Sequence, residues 1–347
     1  MTSKDRCEEK HVISENLKTD NFKLKTDNFV TGQSGFALVM VMVSVLILEI
    51  VCFFLAQSRG IQTMTVFNRT KKLKALYLAE AGLAHGLWRL QKDPSWRTQM
   101  TGLSLGDGSY TVSFTEDTPH RLISVNSQSV AQGTKSSAKR TVCWVTIQPK
   151  GSDFFKGEDA YISEKDPDNR YGYTDPNRLM LDSETNKKYR TLVRFNLGKY
   201  PIPPDAAVIS SRFSLYLVKG PDDNPSKWPL AVSYRIHRIT RPPDNVQWVD
   251  LETTWKNRTS SLTWTNAGGD FDSGGYEDSR TFTALGWQTW RATVMTRLWM
   301  QNPSQNNYGL ILETDPISGN YEFKFHSSAH TALGPELTVY YLDSRRP

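Results

Sequence analysis

The chain has 347 residues and carries 42 Lys and Arg against 36 Asp and Glu, so its formal net charge is +6. This excess is small and dispersed, which argues against a nucleic-acid-binding protein. Its three cysteines are Cys7, Cys52 and Cys143, and the first two lie in the N-terminal segments described next. Because only Cys143 remains in the C-terminal part, we expect that part to depend on a large core or a bound ion, not on an internal disulfide.

Residues 1–35 form a polar leader with six basic and six acidic side chains. The motif LKTDNF occurs twice, at 17–22 and 24–29, and the segment is poor in apolar residues. Such a composition is typical of a disordered segment.

An apolar segment follows at 36–56, FALVMVMVSVLILEIVCFFLA, which only Ser44 and Glu49 interrupt. As a helix it is about 31 Å long, enough to cross the hydrocarbon core of a bilayer. We therefore predict a transmembrane helix over 36–58. Lys and Arg lie on both sides of it, so the charge distribution does not fix its orientation.

The helical pattern continues to about residue 92, where Asp93-Pro94 ends it. One predicted stripe places Glu80 among five leucines: Leu73, Leu76, Leu83, Leu87 and Leu90. We expect Glu80 to pair within a packed helix–sheet contact or to contact a partner subunit. Three strand-like runs follow, at 109–114, 121–130 and 140–147. The sequence thus predicts a small α+β domain with an antiparallel sheet over 59–150.

A short linker is predicted around 149–158, and the remainder, 151–347, reads as all-β. Short apolar runs alternate with turns rich in Gly, Pro, Asn and Asp, and they lie at 191–197, 211–218, 231–239, 308–314, 321–327 and 336–342. This pattern is typical of a β-sandwich of jelly-roll type.

The N-terminal segments resemble the type IV pilin family. The matching residues are Gln33-Ser34-Gly35-Phe36-Ala37-Leu38 and Ala-Glu-Ala-Gly-Leu at 79–83, the latter similar to PilX-type minor pilins and pseudopilins. The resemblance implies cleavage by a prepilin peptidase between Gly35 and Phe36, assembly with other pilin subunits, and a single-pass protein of the cytoplasmic membrane whose bulk is extracytoplasmic.

One position departs from the pilin pattern. Most pilins carry Glu at the fifth mature position, whereas this chain has Met40. Its only carboxylate in the apolar segment is Glu49, about 13.5 Å further along a helix. We therefore expect an accessory or initiating subunit, with Glu49 either contacting an assembly partner or tolerated in the membrane.

Residues 158–343 resemble the disaggregatase-related DNRLRE domain, which overlaps carbohydrate-binding module family 96. The likeness rests on an ordered set of segments: 159–162, Asn169 to Gly172, 192–197, Ile202-Pro203, Ala206, Ile209, 215–217, 248–257, 261–272, Trp287 with Trp290, Val294, Trp299, 308–312 and 325–328. It implies a β-sandwich that binds polysaccharide.

Aromatic and basic residues are the candidates for such binding, since a pyranose stacks on an aromatic ring and an Arg fork suits a uronate carboxylate. Trp228 and Trp264 lie in loop sequences and are candidate platforms, whereas Trp255, Trp290 and Trp299 are expected in the core. The candidate polar contacts are Lys256, Arg258 and Arg280, with ordinary surface charge as the alternative.

Two turns cluster carboxylates, DPDNRYGYTDP at 166–176 and GGDFDSGG at 268–275. No cofactor is required by the sequence, but oxygen ligands in loops suit a structural Ca²⁺. The candidate ligands are Asp159, Asp166, Asp168, Asp270 and Asp272, and the alternative is that these are ordinary turn residues.

Residues 151–347 contain no HExxH, GxSxG or Walker motif, and the pair His326 and His330 reads as strand end and turn. We therefore predict no enzyme, but a membrane-anchored, minor-pilin-like protein that displays a polysaccharide-binding or adhesive sandwich. Two alternatives stay open: a purely structural filament or secretion-system subunit, and a polysaccharide lyase or hydrolase.

Overall fold

A computed structural model describes residues 34–148, 158–172, 179–182, 184, 186–199, 202–229, 232–314, 321–330 and 332–345. Residues 1–33 of the predicted leader, 1–35, and most of the predicted linker lie outside these residues. The chain divides into two compact units, Met1–Val66 and Phe67–Pro347.

The first helix, α1, extends over Ser34–Lys92. Of the described residues, only this helix is long and apolar enough to cross a membrane. Its large apolar side chains from Phe36 to Leu55 are exposed in the protein itself, as expected of a surface that lipid would cover. The prediction of one long apolar helix in this part of the chain is confirmed.

The C-terminal part of α1 packs on a sheet through small residues. The buried positions are Ala75, Leu78, Ala79, Gly82, Leu83, Gly86 and Leu90. A Cβ atom on Gly82 would lie 2.3 Å from the Ser127 hydroxyl, and one on Gly86 would lie 2.8 Å from a Val125 methyl group. Hence glycine is needed for the close approach of helix and sheet.

The predicted leucine stripe is only partly the buried one, since Leu83 and Leu90 are buried and Leu87 is half-buried. Leu73 and Leu76 are exposed, and so is Glu80. The prediction followed the largest apolar side chains, whereas the sheet lies so close to the helix that it selects the smallest ones. Glu80 consequently does not pair within the helix–sheet contact.

The described strands are, in chain order, β1 Met100–Leu105, β2 Gly108–Asp117, β3 Leu122–Ala131, β4 Thr134–Ile147, β5 Glu158–Ser163, β6 Tyr171–Gly172, β7 Leu179–Leu181, β8 Tyr189–Arg194, β9 Ala207–Lys219, β10 Tyr234–Arg238, β11 Asp278–Arg280, β12 Gly286–Arg291, β13 Leu310–Thr314, β14 Phe323–Phe325 and β15 Glu336–Leu342. Two short helices lie between β12 and β13, namely α2 Thr293–Gln301 and α3 Pro303–Asn306.

Nine of these strands form one large antiparallel sheet in the order β1-β2-β3-β4-β15-β9-β14-β7, with β12 pairing on β9. The C-terminal strand β15 pairs with β4 from Leu337–Ile147 to Leu342–Val142. The predicted boundary between residues 150 and 151 thus separates two segments that share a continuous sheet, and both belong to the unit Phe67–Pro347.

A smaller antiparallel sheet has the order β11-β10-β13-β8-β5-β6. Side chains of both sheets share one buried core, including Phe213 and Leu337 from the large sheet and Val193 and Leu312 from the small one. The other face of the small sheet is covered by the irregular segment 240–272, which contributes Trp248 among other aromatic side chains. A helix with a large antiparallel β domain is therefore the observed fold class.

Candidate functional site

The structure corrects the two predicted aromatic platforms. Trp228 is 3% exposed and donates its indole N–H to the Asp222 carbonyl at 2.7 Å. Trp264 is 5% exposed and donates to the Thr254 carbonyl at 3.0 Å. Both rings pack into cores, so neither offers an open face to a sugar. Loop sequence misled the prediction here, because these loops fold back over the sheets.

The predicted core tryptophans, by contrast, are in the core. Trp290 and Trp299 are fully buried, and Trp255 is 8% exposed. Trp290 donates its indole N–H to the Tyr234 carbonyl at 2.9 Å, which satisfies the one polar atom that a buried tryptophan carries.

The three basic residues that were predicted to contact a polysaccharide lie in different environments. Arg258 is buried, and its guanidinium pairs with Asp244 and donates to the Thr263 carbonyl at 2.8 Å. It therefore holds the irregular segment together and is not available to a ligand. Lys256 is exposed and forms an ion pair with Asp168 at 2.8 Å. Arg280 is exposed and lines the groove described below.

The five candidate Ca²⁺ ligands are engaged in different ways. Asp270 is buried and accepts hydrogen bonds from the backbone N–H groups of Thr265 and Asn266 at 2.8 and 2.7 Å, whereas Asp272 is exposed. Asp168 pairs with Lys256, and Asp166 accepts a bond from the Tyr171 hydroxyl at 3.4 Å. Within the described ranges no three His, Cys, Asp or Glu side chains gather in a way that could hold a metal ion.

Asp159 is the most unusual of these carboxylates. It is fully buried and accepts two hydrogen bonds from Ser328, one from the backbone N–H and one from the hydroxyl, both 2.6 Å long. Burial raises its pKa to about 7, against the lowering effect of the Ser328 bonds. These two hydrogen bonds link β5, which contains Asp159, to the turn after β14, which contains Ser328.

A groove of about 460 Å³ lies where the end of α1 meets the large sheet. Its lining includes Ser210 and Arg212 from β9 and Thr289 and Arg291 from β12. Gln91 and Lys92 from the end of α1 line it as well, as do Asp278, Arg280, Thr281 and Gln288. This set of residues is called the groove below.

The groove carries a positive charge. Among the described residues, four cations and one carboxylate line it: Lys92, Arg212, Arg280, Arg291 and Asp278. The Asp278 carboxylate accepts a hydrogen bond from the backbone N–H of Arg291 at 2.7 Å and pairs with Arg280 at 3.2 Å. Arg212 pairs with Asp93 at 2.9 Å. These contacts orient the guanidinium groups, and positive charge remains for an anionic ligand.

Alternating residues of two paired strands place polar and aromatic side chains on the outer face of the sheet. Trp287 pairs with Tyr216, Thr289 with Ser214, and Arg291 with Arg212, while Trp290 between them points into the core. Trp287 is 41% exposed, and its ring meets that of Tyr216 edge to face at 5.4 Å. The row from Trp287 to Arg291 is about 13 Å long along the strand.

Contacts between rings continue across this face. The Tyr216 ring lies 5.5 Å from that of His326, which in turn lies 3.9 Å from that of His330. The His330 Nδ1 atom accepts backbone hydrogen bonds from Ala332 and Leu333. It therefore bears no proton, and Nε2 must carry the proton of a neutral ring. A metal-bound imidazole normally donates its other ring N–H to an acceptor, but Nδ1 of His330 faces two N–H donors. The pair His326 and His330 is therefore poorly arranged as a metal site.

The remaining predicted residues lie on α1. Gly35 and Phe36 are in its first turn, and Phe36 is 73% exposed. Glu49 lies within the apolar segment and is exposed, as is Glu80 further along.

Sequence reasoning missed Arg212, Arg291 and Trp287 as site residues. The signal for Arg212 was present, because SRFSLYLV at 211–218 alternates buried Phe213, Leu215 and Leu217 with outward polar residues. The pairing of β9 with β12, which places the two arginines side by side, is a long-range contact that no local pattern reveals.

Comparisons with models of known protein families and with curated proteins find no match to this chain.

Proposed function

We propose that the chain is a membrane-anchored protein of the minor-pilin type whose β-sandwich binds acidic polysaccharide in the groove. The observation that carries the proposal is the excess of positive charge in the groove, on a sheet face that also exposes Trp287. A uronate offers a carboxylate to the arginines, hydroxyls to Ser and Thr, and a C–H face to the indole ring.

Hydroxyl groups in the groove and beside it suit a neutral part of the same ligand. Ser214 and Thr289 lie side by side with their hydroxyl oxygens 3.0 Å apart, and each has further hydrogen-bonding capacity. Arg280 and Trp287 are both exposed, so a polymer can reach them without a change of backbone conformation.

Anchoring and assembly are proposed to depend on α1. Its apolar segment from residue 36 to 56 would span the cytoplasmic membrane after a prepilin peptidase cuts between Gly35 and Phe36. Outside the helix–sheet contact, α1 exposes Leu73, Leu76, Tyr77 and Trp88 around Glu80. This apolar stripe with one carboxylate supports contact with the helices of other pilin or pseudopilin subunits, as the resemblance implies.

Binding can be measured with the full chain in nanodiscs, titrated with polygalacturonate. Because the groove is open to solvent, each arginine contact is worth about 0.5–1.5 kcal/mol. The variants Arg280→Ala and Arg291→Ala should therefore each weaken binding about 2–12-fold. Trp287→Ala removes an aromatic contact of similar energy and should weaken binding by a similar factor. Arg170→Ala removes an exposed arginine outside the groove and should leave binding unchanged.

Two results would count against the proposal. If polygalacturonate does not bind, or if Arg170→Ala weakens it as much as the groove variants do, the groove is not a polysaccharide site. Shortening of the polymer during the titration would instead favour the lyase or hydrolase alternative.

A further inference from the structure

A second cavity, of about 310 Å³, lies next to the groove. Arg291 lines both cavities. The second is also lined by Arg238 from β10, by Tyr276 and Glu277 from the segment before β11, and by Val294 and Leu298 from α2. It is called the Tyr276 cleft below. Because the two cavities share a side chain, a single extended ligand can contact both.

The wall of the Tyr276 cleft is fixed by hydrogen bonds at both ends. The His237 Nδ1 atom lies 2.9 Å from the Asp272 carbonyl and 3.1 Å from the Gly275 carbonyl. At the other end, the Glu277 backbone N–H donates to the Ile236 carbonyl at 3.0 Å, and its carboxylate accepts from the backbone N–H groups that begin α2. The cleft is therefore preformed, which lowers the entropic cost of binding.

The surface of this cleft is amphipathic. Tyr276 is 53% exposed and Val294 is 60% exposed, values that are large for apolar side chains on a folded surface. The guanidinium of Arg235 lies over the Tyr276 ring at 5.1 Å from its centroid, which helps to hold the ring in place. Two basic side chains, Arg238 and Arg291, and two carboxylates, Asp272 and Glu277, line the cleft beside the held aromatic ring and the exposed apolar surface. This combination suits a sugar ring, which offers a C–H face to the aromatic ring and hydroxyl groups to the polar side chains.

We propose that the Tyr276 cleft is a second subsite of the same binding site. One polysaccharide chain would occupy the groove, cross Arg291 and stack a further sugar ring on Tyr276. The inference rests on the proposed function. It adds that the ligand is an extended polysaccharide of several acidic sugar units, not a single sugar or the end of a chain.

Oligogalacturonates of defined length test this proposal on the full chain in nanodiscs. The hexamer should bind more tightly than the dimer, since only the longer chain reaches both cavities. Tyr276→Ala should weaken hexamer binding about 3–10-fold, the loss expected for one aromatic contact, and Arg280→Ala should weaken it as well. The dimer fits one cavity, so it should lose affinity in at most one of these two variants.

Tyr276→Phe keeps the ring and should bind the hexamer nearly as tightly as the unchanged chain. Circular dichroism of each variant shows whether the domain remains folded. The second subsite is refuted if Tyr276→Ala leaves hexamer binding unchanged, or if dimer and hexamer bind equally. Such a result leaves the groove intact as a binding site, whereas failure of every oligomer to bind refutes the proposed function itself.

Discussion

Replacing Asp159 with Asn should stabilise the domain, and the gain should grow with pH. The carboxyl group is fully buried and accepts hydrogen bonds from the backbone N–H and the hydroxyl group of Ser328. Asn keeps both bonds, because its carbonyl accepts from the N–H and its amide donates to the hydroxyl oxygen. The substitution therefore removes a buried charge and little else.

The magnitude follows from the pKa of Asp159, which burial raises from 3.8 to about 7. A carboxyl group with a raised pKa gives its full stability below pH 3.8, and that stability is lost as the pH rises through about 7. The loss is about 2 kcal/mol at pH 5 and about 4 kcal/mol at pH 8. Asp159→Asn should thus gain about 2–3 kcal/mol more at pH 8 than at pH 5.

Thermal unfolding at the two pH values measures this difference. For a folded unit of this size, 1 kcal/mol moves Tm by about 2 °C, so the Tm gain of Asp159→Asn should be about 5 °C larger at pH 8. Other titrating groups cancel, because variant and unchanged chain are compared at the same pH. Asp223→Asn, at an exposed position, controls for the loss of a surface carboxylate and should change Tm by less than about 1 °C.

An opposite result would be informative. If Asp159→Asn lowers Tm at pH 8 and added Ca²⁺ stabilises only the unchanged chain, then Asp159 serves as a metal ligand and the burial argument fails. A Tm change that is equal at both pH values would show that the carboxyl group does not titrate in this range.

Other predictions concern the helix, the cleft wall and processing. Gly86→Ala should lower Tm, because overpacking against the sheet costs about 1–3 kcal/mol and outweighs the gain in helix propensity, while Gly60→Ala, with no atom within 4 Å, should not. Burial lowers the pKa of His237, but its bonds to Glu313 and to the carbonyls of 272–275 outweigh this and raise it. The contribution of protonated His237 to the free energy of unfolding is therefore fully present below pH 6.5, and it is lost as the pH rises through the raised pKa. Amide exchange of 272–276 should accelerate over that range, and in a His237→Gln variant it should lack this pH step. Mass spectrometry of the protein purified from membranes should find Phe36 at the N-terminus; an intact leader would contradict the pilin resemblance.

The His237 prediction accounts for the charged and titratable groups around the ring. His237 Nε2 lies 3.2 Å from the Glu313 carboxylate, which also pairs with Arg190 at 3.0 Å. Arg235 acts on Glu313 through its charge, and the rings of Phe271 and Tyr276 meet the imidazole edge to face. Because both ring nitrogens face acceptors, the protonated imidazole makes one more hydrogen bond than the neutral one.

Local patterns predicted the elements of this fold well. The apolar run from residue 36, the helix end at Asp93-Pro94 and the alternating strands all follow from periodicity. The buried face of the helix was predicted only in part, because Leu83 and Leu90 are buried whereas Leu73 and Leu76 are exposed. The large leucines outweighed the small buried residues Ala75, Ala79, Gly82 and Gly86 in the pattern. Small residues can be recognised as a site of close helix–sheet packing only when the surface that packs against the helix is known.

The site was harder to predict than the fold. Trp228 and Trp264 have the loop sequences of exposed residues, yet their indole N–H groups find buried carbonyls at 2.7 and 3.0 Å. Arg280 was predicted as a contact, but its neighbours Arg212 and Arg291 come from strands about 80 residues apart in the chain. The groove exists only because β15 joins β4 and β9 in one sheet, which no local signal specifies.

The central claim is that positive charge in the groove selects an acidic polysaccharide. Its most direct test is an equilibrium titration of the nanodisc-embedded chain with oligogalacturonate and with the same oligomer after reduction of its carboxyl groups. The acidic form should bind at least tenfold more tightly, and its affinity should fall as salt is added. Equal binding of the acidic and the reduced oligomer, independent of salt, would contradict the claim.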